Sequence, residues 1–271
     1  MSLLETLGLN VLSSFIYESI KKAKYHKRKS EKSKITERLK LLLKLMNEGR
    51  EKKFTISKFS KILKLKKISD LEKYFVGEDE PTFKFLKKLS KEFGINIEWL
   101  AEGKGYPFKS DRDTYINLYE DVLKKIEELK PFVVYFVRAE SVRGETCILL
   151  EIEDYKLIIL DIFVHFSGKN GSGGQRQLVE LRRLIMYLIL EKKMITKSLV
   201  VPKGIFFKLF NGEIHPSVAI QKRIGTFQHW HDDFTDIYNQ RHGYQYQDEY
   251  DHNFFDAFNL VKSYVEKNGE I

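Results

Sequence analysis

Apolar residues along this chain follow two different periods, and the change between them comes near residue 131. Before it, leucine, isoleucine and phenylalanine recur at intervals of three and four, the repeat of one helix face. Leu4, Leu7, Val11, Phe15 and Ile16 make the first such face, with Leu12 and Ile20 beside it, and predict an amphipathic helix that needs a covering surface. TERLKLLLKLMN, residues 36–47, predicts a second helix that stops ahead of Gly49. TISKFSKIL, residues 55–63, predicts a short one with Ile56, Phe59, Ile62 and Leu63 turned inward. Ser69-Asp70-Leu71-Glu72 has the form of a capping box, in which serine and glutamate satisfy each other's exposed backbone donors, so another helix should open there and end at Gly77. Pro81 suits the first turn of the next, PTFKFLKKLSKEF, which Gly94 terminates. Asn96 can cap a last short turn, IEWLAEG.

After a linker, DTYINLYEDVLKKIEELKP predicts a connecting helix that Pro131 ends. PFVVYFVRAES, TCILLEIED and YKLIILDIFVHF then read as adjacent antiparallel strands, rich in branched and aromatic residues with turn residues between them. QRQLVELRRLIMYLILEKK is a strong helix and SLVV a short strand, and helices are expected near GIFFKLFNG, HWHDDFTDIYNQ and DEYDHNFFDAFNLVKSYVEKNG. The fold class expected is α+β: an all-α unit of five helices, then an α+β unit with a small, mostly antiparallel sheet. The divisions fall at 1–33 (amphipathic helix and basic linker), 34–108 (five-helix unit), 109–130 (linker and connecting helix) and 131–271 (α+β domain).

Composition narrows the class. With 271 residues and 42% hydrophobic content the chain can bury one large core or two modest ones. Its single cysteine, Cys147, rules out an internal disulfide, fits a reducing compartment and lies in an apolar run that reads as core. The first twenty residues are too short to span a bilayer and carry their positive charge after the apolar part, unlike a signal peptide. Packing on protein is preferred for them over an anionic membrane surface, to which the following KKAKYHKRK would be attracted. Charge is uneven: residues 21–91 hold 24 Lys or Arg against 9 Asp or Glu, a formal +15, whereas the whole chain is +9 and the remainder therefore −6. Positive charge concentrated on one small unit is the footprint of phosphate-backbone binding, with a solvated lysine-rich surface as the alternative.

TISKFSKILKLKKISDLEKYFVGEDEP followed by TFKFLKKLSKEFGINIEWLAEGKGYPF resembles the helix-turn-helix domain of the Xre and phage-repressor family, over about residues 36–108. In that family a glycine and then a proline follow the recognition helix, as Gly77 and Pro81 do here, and a Trp-Leu pair before glycine is a frequent ending, as with Trp99 and Leu100. The resemblance implies a DNA-binding domain whose core Trp99 and Leu100 plug. It implies further that Ser69, Asp70, Glu72 and Lys73 lie near the major groove, with Lys58, Lys66 and Lys67 near phosphates. The stretch before Gly77 is one residue longer than the common pattern, and Phe75-Val76 stand where a glutamate often precedes the glycine. Asp70 and Glu72 could accept from a cytosine amino group, but close to phosphates they repel.

Three stretches of the second half carry candidate chemistry. SGKNGSGGQRQL leads from a strand through glycines into a helix, whose first amides can hold an anion, so a small anionic effector would be placed at Lys169, Gly173, Gly174, Gln175 and Arg176. It lacks the Gly-Lys-Ser/Thr ending of a nucleotide-binding loop, and a plain strand-to-helix connection is the preferred reading. His229, His231, Asp232, Asp233, Asp236, His242 and His252 are metal-type ligands without a metal-site spacing, and they read as surface residues beside the inward Phe234 and Ile237. Glu140, Glu151, Glu153, Asp154, Lys156 and Asp161 lie on or between the strands, where acid-x-Lys at Asp154-Tyr155-Lys156 suggests a metal-dependent nuclease and equally an ordinary hairpin turn.

The expected function, as the resemblance implies, is that of a cytoplasmic, sequence-specific transcriptional regulator of phage-repressor type in a prophage-like context. Its partners would be double-stranded DNA, a second copy of itself in a homodimer, and a small anionic effector or a protein sensed by the C-terminal domain. No catalytic residue, metal or cofactor is assigned. The alternative is a phage-defence or toxin-antitoxin component whose C-terminal domain is an effector, such as a metal-dependent nuclease, and whose helix-turn-helix is a docking module.

Overall fold

The computed structural model describes residues 30–108, 115–225, 229–238 and 250–269. The amphipathic pattern of residues 4–20, the first part of the linker and His242 lie outside the described residues. The architecture is mixed α+β, with helices first and a small five-stranded sheet in the second half.

Five helices build the first unit: α1 (Glu31–Met46), α2 (Ile56–Ile62), α3 (Ser69–Val76), α4 (Phe83–Phe93) and α5 (Ile97–Glu102). α1 starts at Glu31 rather than Thr36 because Ser30 caps it, accepting from the Ser33 amide at 3.2 Å. Its Ile35, Leu39, Leu42 and Met46 are buried, and the Thr36 hydroxyl donates to the Tyr74 carbonyl at 3.0 Å, tying α1 to α3. Thr55, Thr82 and Asn96 cap α2, α4 and α5, each oxygen satisfying an amide that a first helical turn leaves without a partner. Pro81 therefore precedes the Thr82 cap instead of opening α4. α3 also begins otherwise than the capping box predicts. Ile68 holds the cap position with helical angles, φ −63° and ψ −39°, so Ser69 is already inside the helix and no side chain caps it. A capping box needs a non-helical residue at that point; here Asp70 accepts from the Lys67 amide at 3.2 Å instead. Gly77 and Gly94 end α3 and α4 in the left-handed conformation, φ +80° and +65°, as their positions in the sequence suggest. At the centre the Phe59 ring stacks on Phe93 with centroids 4.4 Å apart, and Trp99 and Leu100 close the core, both buried.

The second unit runs α6 (Leu118–Leu129), β1 (Val133–Glu140), β2 (Glu145–Glu153), β3 (Lys156–Ile159), β4 (Val164–His165), α7 (Ser172–Met186), a π-helical turn (Tyr187–Glu191), β5 (Ile195–Pro202), α8 (Lys203–Asn211), α9 (Pro216–Gln221), α10 (Trp230–Thr235) and α11 (His252–Asn268). The sheet order is β3-β2-β1-β5 with β4 also on β2; only the β1–β5 pair among these is parallel. A parallel pair requires a crossover, and α7 supplies it. Val134, Phe136, Ile148 and Leu150 face one core with α6, α7, α10 and α11; Val133, Tyr135, Val137, Cys147 and Leu149 face another with α8 and α9. A sheet covered on both faces has no polar side, which is why β1 and β2 read as unbroken apolar runs. Cys147 is fully buried, and desolvation pushes its thiol up, away from reactivity. No helix among the described residues is long and apolar enough to cross a membrane.

Candidate nucleic-acid interface

α2 and α3 are joined through residues 63–68, where the Leu65 amide reaches back to the Ser60 carbonyl at 3.0 Å and Lys64 takes a left-handed φ of +51°. A helix-turn-helix motif joins its helices through a turn of about three or four residues; the connection here, from Leu63 to Ile68, is longer. A lysine in the left-handed region costs about 1–2 kcal/mol. Around this turn Lys66, Lys67, Ser69 and Glu72 are exposed and Asp70 and Lys73 half-buried. Lys73 pairs with Asp79 at 2.8 Å, a hydrogen bond that holds its ammonium above the usual lysine range. Lys58 is drawn to the second unit, its ammonium 3.3 Å from the Asp154 carboxylate and 4.0 Å from the centre of the Phe54 ring. The structure thus gathers Lys66, Lys67, Ser69 and Glu72 at the start of α3 and directs Lys58 and Lys73 to carboxylate partners.

Charge in this unit is sorted by element. Arg50, Lys52, Lys53, Lys58, Lys61, Lys64, Lys66 and Lys67 have Glu51 as the one acid among them. α4 adds Lys84, Lys87, Lys88 and Lys91, all exposed, at i, i+3, i+4 and i+7 and therefore on one helix face. The Lys88 ammonium donates to the Leu63 carbonyl at the end of α2, joining this stripe to Lys61 and Lys64. The resemblance does not point to the α4 lysines; their signal in the sequence is the helical spacing of FKFLKKLSKEF. Acids collect elsewhere, with Asp70 and Glu72 on α3 and Glu78, Asp79 and Glu80 in the loop after it. The exposed stripe of α3 reads Ile68, Ser69, Glu72, Val76.

Both arginines of the unit are held by backbone carbonyls, Arg38 within the unit and Arg50 across to the second one. Arg38 donates to the Leu100 and Ala101 carbonyls at 2.8 and 2.7 Å, and Arg50 to the Asp154 carbonyl at 2.9 Å. Asn47 exchanges hydrogen bonds with the Phe54 backbone at 2.9 and 2.6 Å, and Asn96 caps α5 while donating to the Lys104 and Tyr106 carbonyls. Residues 30–108 contain no other Arg or Asn, and no Gln or His.

The two units meet at the tip of the β2–β3 hairpin. Tyr155 lies against Phe54 and Phe93, centroids 6.3 and 5.4 Å away, at the border of the first unit's core. Beside it the Phe108 amide donates to the Gly212 carbonyl at 2.9 Å, and the Phe108 ring meets His215 edge-on at 5.1 Å. Asp154-Tyr155-Lys156 is therefore a hairpin turn that docks one unit on the other. Glu151 accepts from the Tyr135 hydroxyl at 2.7 Å, while Glu153 and Asp161 are exposed and Glu140 ends β1. Among the described residues, no three His, Cys, Asp or Glu side chains converge to hold a metal ion.

The histidine and aspartate stretch is less superficial than its polarity suggests. His231 is buried beneath β5, its Nδ1 2.8 Å from Ser198 Oγ and its Nε2 3.0 Å from Thr196 Oγ1. Asp236 is also buried, Asp233 accepts from the Tyr250 hydroxyl, and Asp232 stays half-buried on α10. Phe234 and Ile237 face the core as expected. In the glycine loop, Gly171 caps α7 with no side-chain hydrogen bond, and Gly173 and Gly174 form its first turn. Lys169 is exposed and Gln175 turns back to the Asn170 carbonyl at 3.4 Å. Arg176 is bound to Glu180 at 2.7 Å and Asn117 at 3.0 Å, along the helix rather than at its start. Comparison with known protein families, curated proteins and solved structures finds no match to this chain.

Proposed function

We propose that this chain is a DNA-binding regulator in which residues 30–108 contact duplex DNA and the α+β unit orients them and senses a ligand or partner. The reading is supported by the lysine-rich connection between α2 and α3, where Lys66 and Lys67 are exposed just ahead of α3. Lysines placed so neutralise phosphates and release counterions, which makes binding steeply dependent on salt. DNA as the partner sets its action in the cytoplasm, and a homodimer is the assembly that would let two short helical units share one duplex. Fluorescence anisotropy with labelled duplexes between about 50 and 200 mM salt tests this: Lys66→Ala with Lys67→Ala should weaken binding to every duplex and flatten the slope of log affinity against log salt by about 0.9 for each phosphate no longer neutralised. Unchanged affinity and slope would take both lysines out of the interface. A second reading, the helix-turn-helix as a protein-docking module, is favoured by one observation: Ile68, Val76 and Phe83 are exposed beside the acidic loop.

A further inference from the structure

The geometry points to a contact made with DNA phosphates alone, through the lysine face shared by α4 and the end of α2, while α3 reads no base sequence. This rests on the DNA-binding reading and narrows it. Base edges are read chiefly by Arg or Lys on guanine and by Asn or Gln on adenine, two hydrogen bonds at a time. Arg38, Arg50, Asn47 and Asn96 are the only Arg and Asn of residues 30–108, Gln is absent, and all four side chains are held by backbone carbonyls of the protein itself. The base-reading cation left on the surface is lysine, a point charge on a flexible stem that lacks the planar fork of arginine and so suits a phosphate better than a guanine edge.

α3 itself opposes insertion into a groove. Its outer stripe of Ile68, Ser69, Glu72 and Val76 supplies no cation, and Glu78, Asp79 and Glu80 follow it, so the helix would carry carboxylates between two rows of phosphates. α4 has the opposite character. Lys84 and Lys91 stand about 10 Å apart along its axis, a length over which duplex DNA presents about six phosphate charges. Lys61 and Lys64 extend the face, joined to it by the Lys88 bond to the Leu63 carbonyl. Between Lys84 and Lys91 only lysines are exposed, with the exposed Phe83 at the N-terminal edge of the face. Protein interfaces concentrate aromatic residues and arginine at their centres and are depleted in lysine, so the lysine part of this face fits a polyanion better than a protein.

The test uses the full chain. Lys84→Gln, Lys87→Gln and Lys91→Gln together should lower affinity at least about tenfold, by the same factor on duplexes of unrelated sequence, and flatten the salt slope by about 2.7. Circular dichroism and thermal melting should show this variant folded, since all three side chains are exposed. Ser69→Ala with Glu72→Ala should leave affinity unchanged or raise it, and duplexes selected from a randomised pool should share no motif. A recovered motif, or a loss of binding in the Ser69/Glu72 variant with the lysine variant unaffected, overturns the inference while leaving the protein a DNA binder. A wild-type chain that binds no duplex at low salt overturns the DNA reading as a whole.

Discussion

His231 and His215 show what single residues contribute here. Both are buried with their ring nitrogens in use, His231 between Ser198 and Thr196 and His215 at the Ser217 hydroxyl and amide, in the seam where Phe108 and Tyr155 meet the second unit. Desolvation pulls His231 from 6.5 down to about 4 and His215 to about 3, the latter helped by the Arg50 charge. A folded pKa below the unfolded one means that folding favours the neutral ring. Stability from these two residues is therefore full above about pH 6.5, the unfolded value, and is lost as pH falls below it toward the folded values. In urea titrations the folding free energy should drop by up to roughly 1.4 kcal/mol per pH unit for each histidine between pH 6 and 4. His231→Gln should remove about half of that slope, and a stability that stays level over this range would disprove the assignment. In the sequence these residues look like any histidines in a polar stretch, because burial comes from β5 and α9, which lie far away along the chain or gave little signal of their own.

At the scale of elements, the hairpin tip makes the sharpest prediction. Tyr155 packs its ring against two aromatic rings of the first unit, each pair worth roughly 0.5–1.5 kcal/mol, whereas the Lys58–Asp154 pair is solvent-exposed and worth about 0–1 kcal/mol. Calorimetry should accordingly show Tyr155→Ala lowering the melting of the first unit clearly and Asp154→Ala hardly at all; the reverse order would mean that charge, not packing, joins the units. The helices of the first unit were largely legible because their punctuation is local: Gly77, Gly94 and Asn96 act within one turn of where they stand. The start of α3 was not, since whether Ser69 caps depends on the angles of Ile68, and those follow from how the turn at Lys64 packs. α9, only six residues long, relies on Pro216 in its first turn and a capping His215, too short a stretch for periodicity to show.

For the whole molecule, α6 is the informative element. Leu118, Val122 and Ile126 belong to the core beneath the sheet, so the helix that reads as a connector is a layer of the second unit. A fragment of residues 115–271 should unfold in one cooperative transition, while one of residues 131–271 should lose that layer and be largely unfolded at room temperature, as circular dichroism would show. Equal stability of the two fragments would mean that α6 adds nothing to that core.

The sequence alone was enough for the α+β class, the five helices and their stops, the strands β1, β2 and β5 and the basic character of the first unit, because periodicity, capping residues and charge are properties of neighbours along the chain. YKLIILDIFVHF, which reads as one strand, is instead divided into β3 and β4. Tertiary structure decided the parallel β1–β5 pairing, the burial of both sheet faces, the docking of Tyr155 on the first unit and the capture of both its arginines by backbone carbonyls. Each of these joins residues far apart in sequence, and the free energy of such a contact depends on which surfaces the completed fold brings together.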